Sequence, residues 1–162
     1  MPTHAIPAMS LEQQVIPLIQ QAPDYGVNAL VMEQAIAPVL LELARSLAHA
    51  EYYLLQGPNQ QWVSNTLVPK ERQFPTKTVI YLFADEASAL AFPNQTGEPL
   101  IAQRVPVVEL LFQLLALKPI ESFVIHEEPL PTPQIQEIKR ADLQQLIQQS
   151  LQRFKGQRSY LA

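Results

Sequence analysis

The densest group of side chains that can bind a metal ion or transfer a proton is His126-Glu127-Glu128, which follows an apolar run. Imidazole and carboxylate groups bind zinc and manganese and act as general acids and bases. His49, at the end of a predicted helix, can extend this group. Neighbouring strand residues point to opposite faces of a sheet, so the favoured interpretation is a solvated strand end. A small metal-dependent enzyme or binder is the alternative function that the sequence leaves open.

Other catalytic signatures are missing from the sequence. It contains no cysteine, which excludes thiolate nucleophiles, disulfides and cysteine-ligated zinc. Its four glycines are isolated, and no serine has the flanking glycines of a nucleophile elbow. We therefore expect no enzyme, no catalytic or metal site and no cofactor.

The charge balance bears on nucleic-acid partners. The net charge is −4, so no broad positive field is available to hold a phosphate backbone. The basic residues form two small groups interleaved with acids, and a solvated surface is the favoured interpretation of both. Their members are Lys70, Arg72 and Lys77 near Phe74, and Lys139, Arg140, Arg153, Lys155 and Arg158 near the C-terminus. Nucleic acid is not an expected partner, although weak binding through the second group stays open.

Residues 107–117 carry more apolar surface than one buried helix face requires. Only Glu109 and Gln113 are polar, and at a spacing of four they share one narrow stripe. A helix that lies on a sheet needs an apolar stripe only about 100° wide. Either the helix predicted at residues 28–49 covers the excess, which we favour, or the excess binds a protein partner or a second copy.

The interaction hypothesis selects eight residues on two helices. Uncharged amides on the last helix suit a polar protein interface as well as plain solvation. The candidates are Val107, Val108, Leu111, Phe112, Leu115, Gln144, Gln148 and Gln152. Because the sequence contains no recognisable set of catalytic residues, we predict a non-catalytic protein-interaction or assembly module.

Three helices follow from local patterns. Ser10 and Gln13 have the spacing of a capping box before a short helix. Residues 28–49 are strong helix formers, with Pro38 expected to kink or split the helix. In the last helix, which Gly156 is expected to end, the apolar residues recur at steps of three and four. Those residues are Leu143, Leu146, Ile147, Leu151 and Phe154.

The middle of the chain alternates between strands and helices. Residues 51–56 and 61–68 are expected to form a hairpin, and residues 78–83 a central strand. A short helix at 86–92, a strand at 100–105, the helix at 107–117 and a strand at 122–126 follow. We predict an α+β fold: a small mixed or antiparallel sheet with helices packed mainly on one face, plus a C-terminal helix after a proline-rich linker.

The predicted organisation has three parts. Residues 1–24 form an N-terminal extension with a short helix, residues 25–128 the α+β core, and residues 129–162 the linker and amphipathic helix. The first 21 residues lack the basic start of a leader, and no apolar stretch reaches the roughly 20 residues that a membrane span requires. We expect a soluble, cytoplasmic protein with no membrane partner.

The order of these segments resembles the N-terminal domain of the SseB family (enhanced serine sensitivity, type III secretion protein SseB). Matching segments are Asn28-Ala29-Leu30 with Glu33, Tyr52-Tyr53-Leu54, residues 79–92, Pro106-Val107-Val108-Glu109-Leu110-Leu111, and Ser122-Phe123-Val124-Ile125. The chain departs from the family at Phe83-Ala84-Asp85, where Phe-Thr-Ser is frequent, and at His126-Glu127-Glu128, where an Asn-Pro-Gly-like turn is frequent. The resemblance implies a shared α+β scaffold over about residues 28–127 and no particular activity.

Overall fold

A computed structural model describes residues 9–71, 73–93, 97–127 and 135–161, with side chains described as far as residue 156. The α-helices in these ranges are α1 (Leu11–Gln20), α2 (Ala29–Val31), α3 (Ala37–Arg45), α4 (Glu86–Ala91), α5 (Val107–Ala116) and α6 (Arg140–Leu161). A 3₁₀ turn (Ala22–Tyr25) follows α1, and a π turn (Met32–Ile36) joins α2 to α3.

The strands form one mixed sheet. They are β1 (Glu51–Gln56), β2 (Asn65–Leu67), β3 (Lys77–Phe83), β4 (Ile101–Pro106), β5 (Ser122–His126) and β6 (Ile135–Lys139). Their order is β4-β1-β3-β5-β6, and β2 pairs with β3. Among these strand pairs only β3–β5 is parallel, because a crossover that contains α4, β4 and α5 connects the two strands. The predicted α+β class with a mixed sheet is confirmed.

The hairpin expected from residues 51–56 and 61–68 is wrong over most of its length. Its tip forms, since the Gly57 N–H donates to the Gln61 carbonyl at 2.9 Å and Gln56 bridges Trp62. Beyond that point the chain leaves β1 and pairs with β3 as β2. β1 pairs along its whole length with β4 on one side and meets β3 at Tyr53–Phe83 on the other. Only the end of β1 is therefore available to pair with residues 61–68.

The two faces of the sheet are covered unequally. The first face carries Tyr52, Leu54, Leu82, Phe123 and Ile125, which share one buried cluster with residues of α1, α3, α5 and α6. The second face carries Leu55 and Phe83, which pack with Ala89 of the short α4. Helices therefore lie mainly on one face, as predicted.

Both ends of the chain contribute to this core. Leu18 of α1 and Leu143 and Ile147 of α6 are buried in the first-face cluster. Strand β6, which is not predicted from the sequence, precedes α6 and pairs antiparallel with β5. The expected stop at Gly156 is wrong, since α6 continues to Leu161.

Side chains cap the starts of three helices, and the capping box predicted at Ser10 and Gln13 is confirmed. Ser10 and Gln13 exchange the two hydrogen bonds of a capping box at α1. The side chains of Asn28 and Asp85 accept from Leu30 and Ser88 N–H groups at the starts of α2 and α4. The helix starts are thus fixed by residues within three positions of each cap.

Candidate functional site

The candidate residues on α5 divide into buried and half-buried sets. Val107, Val108 and Leu111 are at most 1% exposed. Phe112 and Leu115 are half-buried. Helices α1, α3 and α6 all contact α5, which also follows directly on the edge strand β4. The prediction that Val107, Val108 and Leu111 form an interaction surface is wrong, because these three side chains are buried by other parts of the same chain.

The candidate glutamines on α6 lie on its polar side. Gln148 and Gln152 are exposed and Gln144 is half-buried, whereas Leu143 and Ile147 face the core. At 3.6 residues per turn, Gln144 and Gln148 lie on the flank of the helix roughly opposite to Leu146 and Arg153. The glutamines and the pair Leu146 and Arg153 therefore lie on different surfaces of α6. Only the surface with Leu146 and Arg153 borders α3.

His126 and Glu127 point to opposite faces of the sheet. The Glu127 carboxylate accepts hydrogen bonds from the Tyr52 hydroxyl at 2.7 and 2.9 Å on the first face. His126 lies on the second face, in contact with the rings of Tyr81 and Phe83. The structure therefore separates the two residues that the metal hypothesis joins, while Glu128 lies outside the described residues. Within the described ranges, no group of three His, Cys, Asp or Glu side chains can hold a metal ion.

His49 does approach Glu127, but through the backbone. Its Nε2 lies 2.9 Å from the Glu127 carbonyl oxygen, and the Ala48 N–H donates to the Glu127 carboxylate at 3.3 Å. Burial, then the hydrogen bond to Glu127 and its negative charge, raise the pKa of Tyr52 above its ordinary value. Tyr52 thus stays protonated as a donor, and the cluster fastens the turn after α3 to the end of β5.

A concave surface lies between α3 and α6. Two adjoining depressions of about 240 and 290 Å³ share Val39, Glu42 and Arg153 in their walls. We call this surface the α3–α6 groove; its main residues are Pro38, Val39, Glu42, Leu43, Leu146 and Arg153. Its lining mixes apolar side chains with the polar Gln34, Ser46 and Ser150, and it has one acid on the α3 wall and one base on the α6 wall.

Pro38 explains the local backbone on the α3 wall. Proline has no N–H to donate and crowds the preceding turn, so it disturbs the regular hydrogen-bond pattern of an α-helix at this position. The chain widens into the π turn instead, where the Ala37 N–H donates to the Met32 carbonyl. The Ser150 hydroxyl of α6 donates to the Ala35 carbonyl at 2.6 Å. This bond joins α6 to the π turn directly before α3.

Two structural residues could not be found from the sequence because their partners are distant in the chain. Gln14, 4% exposed, bonds to backbone groups of Met9, Ala50 and Val108. Arg140 donates from its side chain to the carbonyls of Ile120 and Lys118, where α5 ends. Because its side chain is bonded to these carbonyls, Arg140 is not a free member of the basic group considered for nucleic-acid binding. No local signal marks either role.

Comparison with known proteins gives no matching family model, curated protein or solved structure. The resemblance to the SseB N-terminal domain stays a prediction, which rests on the order of segments between residues 28 and 127. None of the helices in the described ranges is long and apolar enough to span a membrane.

Proposed function

We propose that this chain is a non-catalytic protein-interaction module that assembles with a second copy of itself through the α3–α6 groove. The observation that carries the proposal is that the apolar residues Val39, Leu43 and Leu146 of the groove lie beside two opposite charges that do not pair with each other. This surface replaces α5 as the interaction site.

The apolar part of the groove supplies a reason to associate. Val39 and Leu43 are half-buried, and Leu146 is 42% exposed beside them. Covering apolar surface gains about 25 cal/mol per Å² removed from water. A partner that fills the groove would cover all three side chains together.

The charges supply complementarity between copies. Glu42 on α3 and Arg153 on α6 border the same groove, yet none of the ion pairs in the described part of the chain joins them. A twofold axis through the groove would place Arg153 of each copy against Glu42 of the other, because both copies present the same patch. Complementary charges of this kind favour one register and disfavour other partners.

The dimensions of the helices are compatible with such a contact. Helix α6 has 22 residues, which corresponds to about 33 Å at 1.5 Å per residue. A specific interface covers about 800 Å² on each partner, more than one helical turn provides. The contact must therefore run along α6 and α3.

Charge reversal tests the proposal through oligomeric state, measured by sedimentation velocity and light scattering. Glu42→Arg and Arg153→Glu should each weaken self-association by about tenfold or more, since twofold symmetry duplicates each repulsive pair. An equimolar mixture of the two single variants should associate again, because the two groove arginines of the first variant then face the two groove glutamates of the second.

Matched controls use charges outside the groove. Glu33 lies on the exposed side of the π turn, and Lys155 lies on the exposed side of α6. The variants Glu33→Arg and Lys155→Glu should therefore associate like the unmodified protein. A protein that remains monomeric over the whole accessible concentration range contradicts the proposal. So does an association that the charge reversals leave unchanged.

A further inference from the structure

The second face of the sheet holds a cluster in which three aromatic rings surround His126. The His126 imidazole stacks on Phe83 with ring centroids 5.2 Å apart and planes 5° apart. Tyr81 lies 5.7 Å away and Phe92, which follows α4, lies 5.9 Å away. We call these four residues the histidine–aromatic cluster.

The imidazole is buried without a hydrogen-bond partner. His126 is 7% exposed, and neither Nδ1 nor Nε2 has a partner in the described structure. A buried polar group without a partner costs free energy, and a buried charge without one costs far more. Burial accordingly lowers the pKa of the His126 imidazole. The neutral form is the one that the cluster accommodates.

Two acidic side chains on the elements around His126 already accept hydrogen bonds from other residues. Glu137 of β6 accepts from Lys77 of β3 and from Ser122 of β5. Asp85, before α4, accepts from Ser88. The other titratable groups on this face and on the adjoining elements are Glu51, Tyr53, Tyr81, Glu86, Arg104, Glu127 and Lys139. Among the residues that the structure describes, no hydrogen bond from any of these groups reaches His126, so none of the described carboxylates is in place to stabilise an imidazolium.

We infer that His126 is a proton-sensitive latch that holds α4 and Phe92 against the sheet when neutral and releases them when protonated. Both imidazole nitrogens are shielded from solvent in the described structure, so water can reach an imidazolium only if a covering group moves. Phe83 belongs to a central strand, whereas Phe92 is half-buried at the end of a six-residue helix. A short helix with few buried contacts opens locally at lower cost than the sheet does.

The direction of the effect follows from linkage. The folded cluster binds a proton less readily than the opened one, in which the imidazole regains an ordinary pKa of about 6.5. Opening is therefore favoured as the pH falls below that value. Between the two pKa values, the opening equilibrium rises by up to about tenfold for each pH unit.

Hydrogen exchange of the amides in residues 86–92 tests this inference. The exchange is compared at about pH 7.5 and about pH 5.5, on either side of the ordinary imidazole pKa, after correction for the intrinsic rates. Opening in this segment should increase several-fold or more at the lower pH, while amides of β1 and β3 change little. His126→Phe keeps a ring on Phe83 but cannot titrate, so its opening should not respond to pH. His49→Gln removes a different histidine, one that contacts the Glu127 carbonyl, and the pH response of residues 86–92 should persist in this variant.

A second measurement applies if His126→Phe fails to fold. The ring signals of His126 in the unmodified protein should keep their neutral shifts to a pH well below about 6.5. The inference is overturned if His126 ionises at its ordinary pKa with no change in exchange. It is also overturned if exchange in residues 86–92 responds to pH equally in the His126→Phe variant.

Discussion

The side-chain oxygen of Gln14 accepts a hydrogen bond from the backbone N–H of Val108 at 3.0 Å, across 94 residues of chain. The first N–H groups of a helix have no partner within the helix, and Pro106 before α5 offers no side-chain cap. Gln14 therefore caps α5 from α1. Its amide nitrogen donates to the carbonyls of Ala50 and Met9 at 2.9 and 3.0 Å, so one side chain joins three segments.

Gln14→Leu should lower the free energy of unfolding by about 2–4 kcal/mol, because an apolar side chain of similar size leaves buried backbone groups without partners. Urea denaturation followed by circular dichroism measures the change. Gln20→Leu, at an exposed position of the same helix, should stay within about 0.5 kcal/mol of the unmodified protein. Equal effects of the two substitutions would show that the Gln14 bonds contribute no stability.

Leu114→Ala should destabilise the protein by about 2–5 kcal/mol, since Leu114 is fully buried in α5 and its truncation leaves a cavity. Leu146→Ala, at an exposed groove position, should cost under about 1 kcal/mol in the monomer. Denaturant midpoints at a concentration that keeps the protein monomeric distinguish the two. A small effect at Leu114 would mean that α5 is not covered as described.

Tyr52→Phe should lower the free energy of unfolding by about 1–2 kcal/mol, because it removes the hydroxyl that donates to the half-buried Glu127. Its neighbour Tyr53 points to the other face of the sheet and provides a matched control. Tyr53→Phe should change stability by less than about 0.5 kcal/mol. Thermal unfolding at neutral pH compares the variants. A loss at Tyr53 as large as at Tyr52 would contradict a specific role for the Glu127 contact.

Glu137 should produce an acid-dependent loss of stability. Burial alone would raise its pKa, but the hydrogen bonds from Lys77 and Ser122 outweigh burial and lower the pKa below the ordinary 4.5. The charged form thus stabilises the fold above pH 4.5, and this contribution disappears as the pH falls through the lower folded value. Glu137→Gln should flatten that part of the stability profile, whereas Glu33→Gln, at an exposed site, should not. An unchanged acid limb in Glu137→Gln would refute the assignment.

The pH ranges of Glu137 and His126 are separable. The opening controlled by His126 begins as the pH falls below the ordinary imidazole pKa of about 6.5. The loss of stability from Glu137 begins only as the pH falls below its ordinary carboxyl pKa of 4.5. The first should appear as local exchange in residues 86–92 and the second in global unfolding. A double variant, Glu137→Gln with His126→Phe, should lose both responses.

Features governed by neighbours in sequence were predictable. Ser10 and Asp85 cap helices because their partners lie three residues away. Leu143 and Ile147 face the core because apolar residues four apart share one side of a helix. The opposite directions of His126 and Glu127 follow from the two-residue period of a strand. These are local geometric rules, so the sequence alone sufficed for them.

Only the tertiary structure decided which surfaces are covered and which polar groups meet. Whether Val108 is buried depends on α1, α3 and α6, and the cap on its N–H comes from a residue 94 positions earlier. The α3–α6 groove depends on α6 lying beside α3, where the Ser150 hydroxyl bonds to the Ala35 carbonyl in the π turn before Pro38. Periodicity reports how much apolar surface a segment has, but burial and pairing depend on distant segments that fold against it.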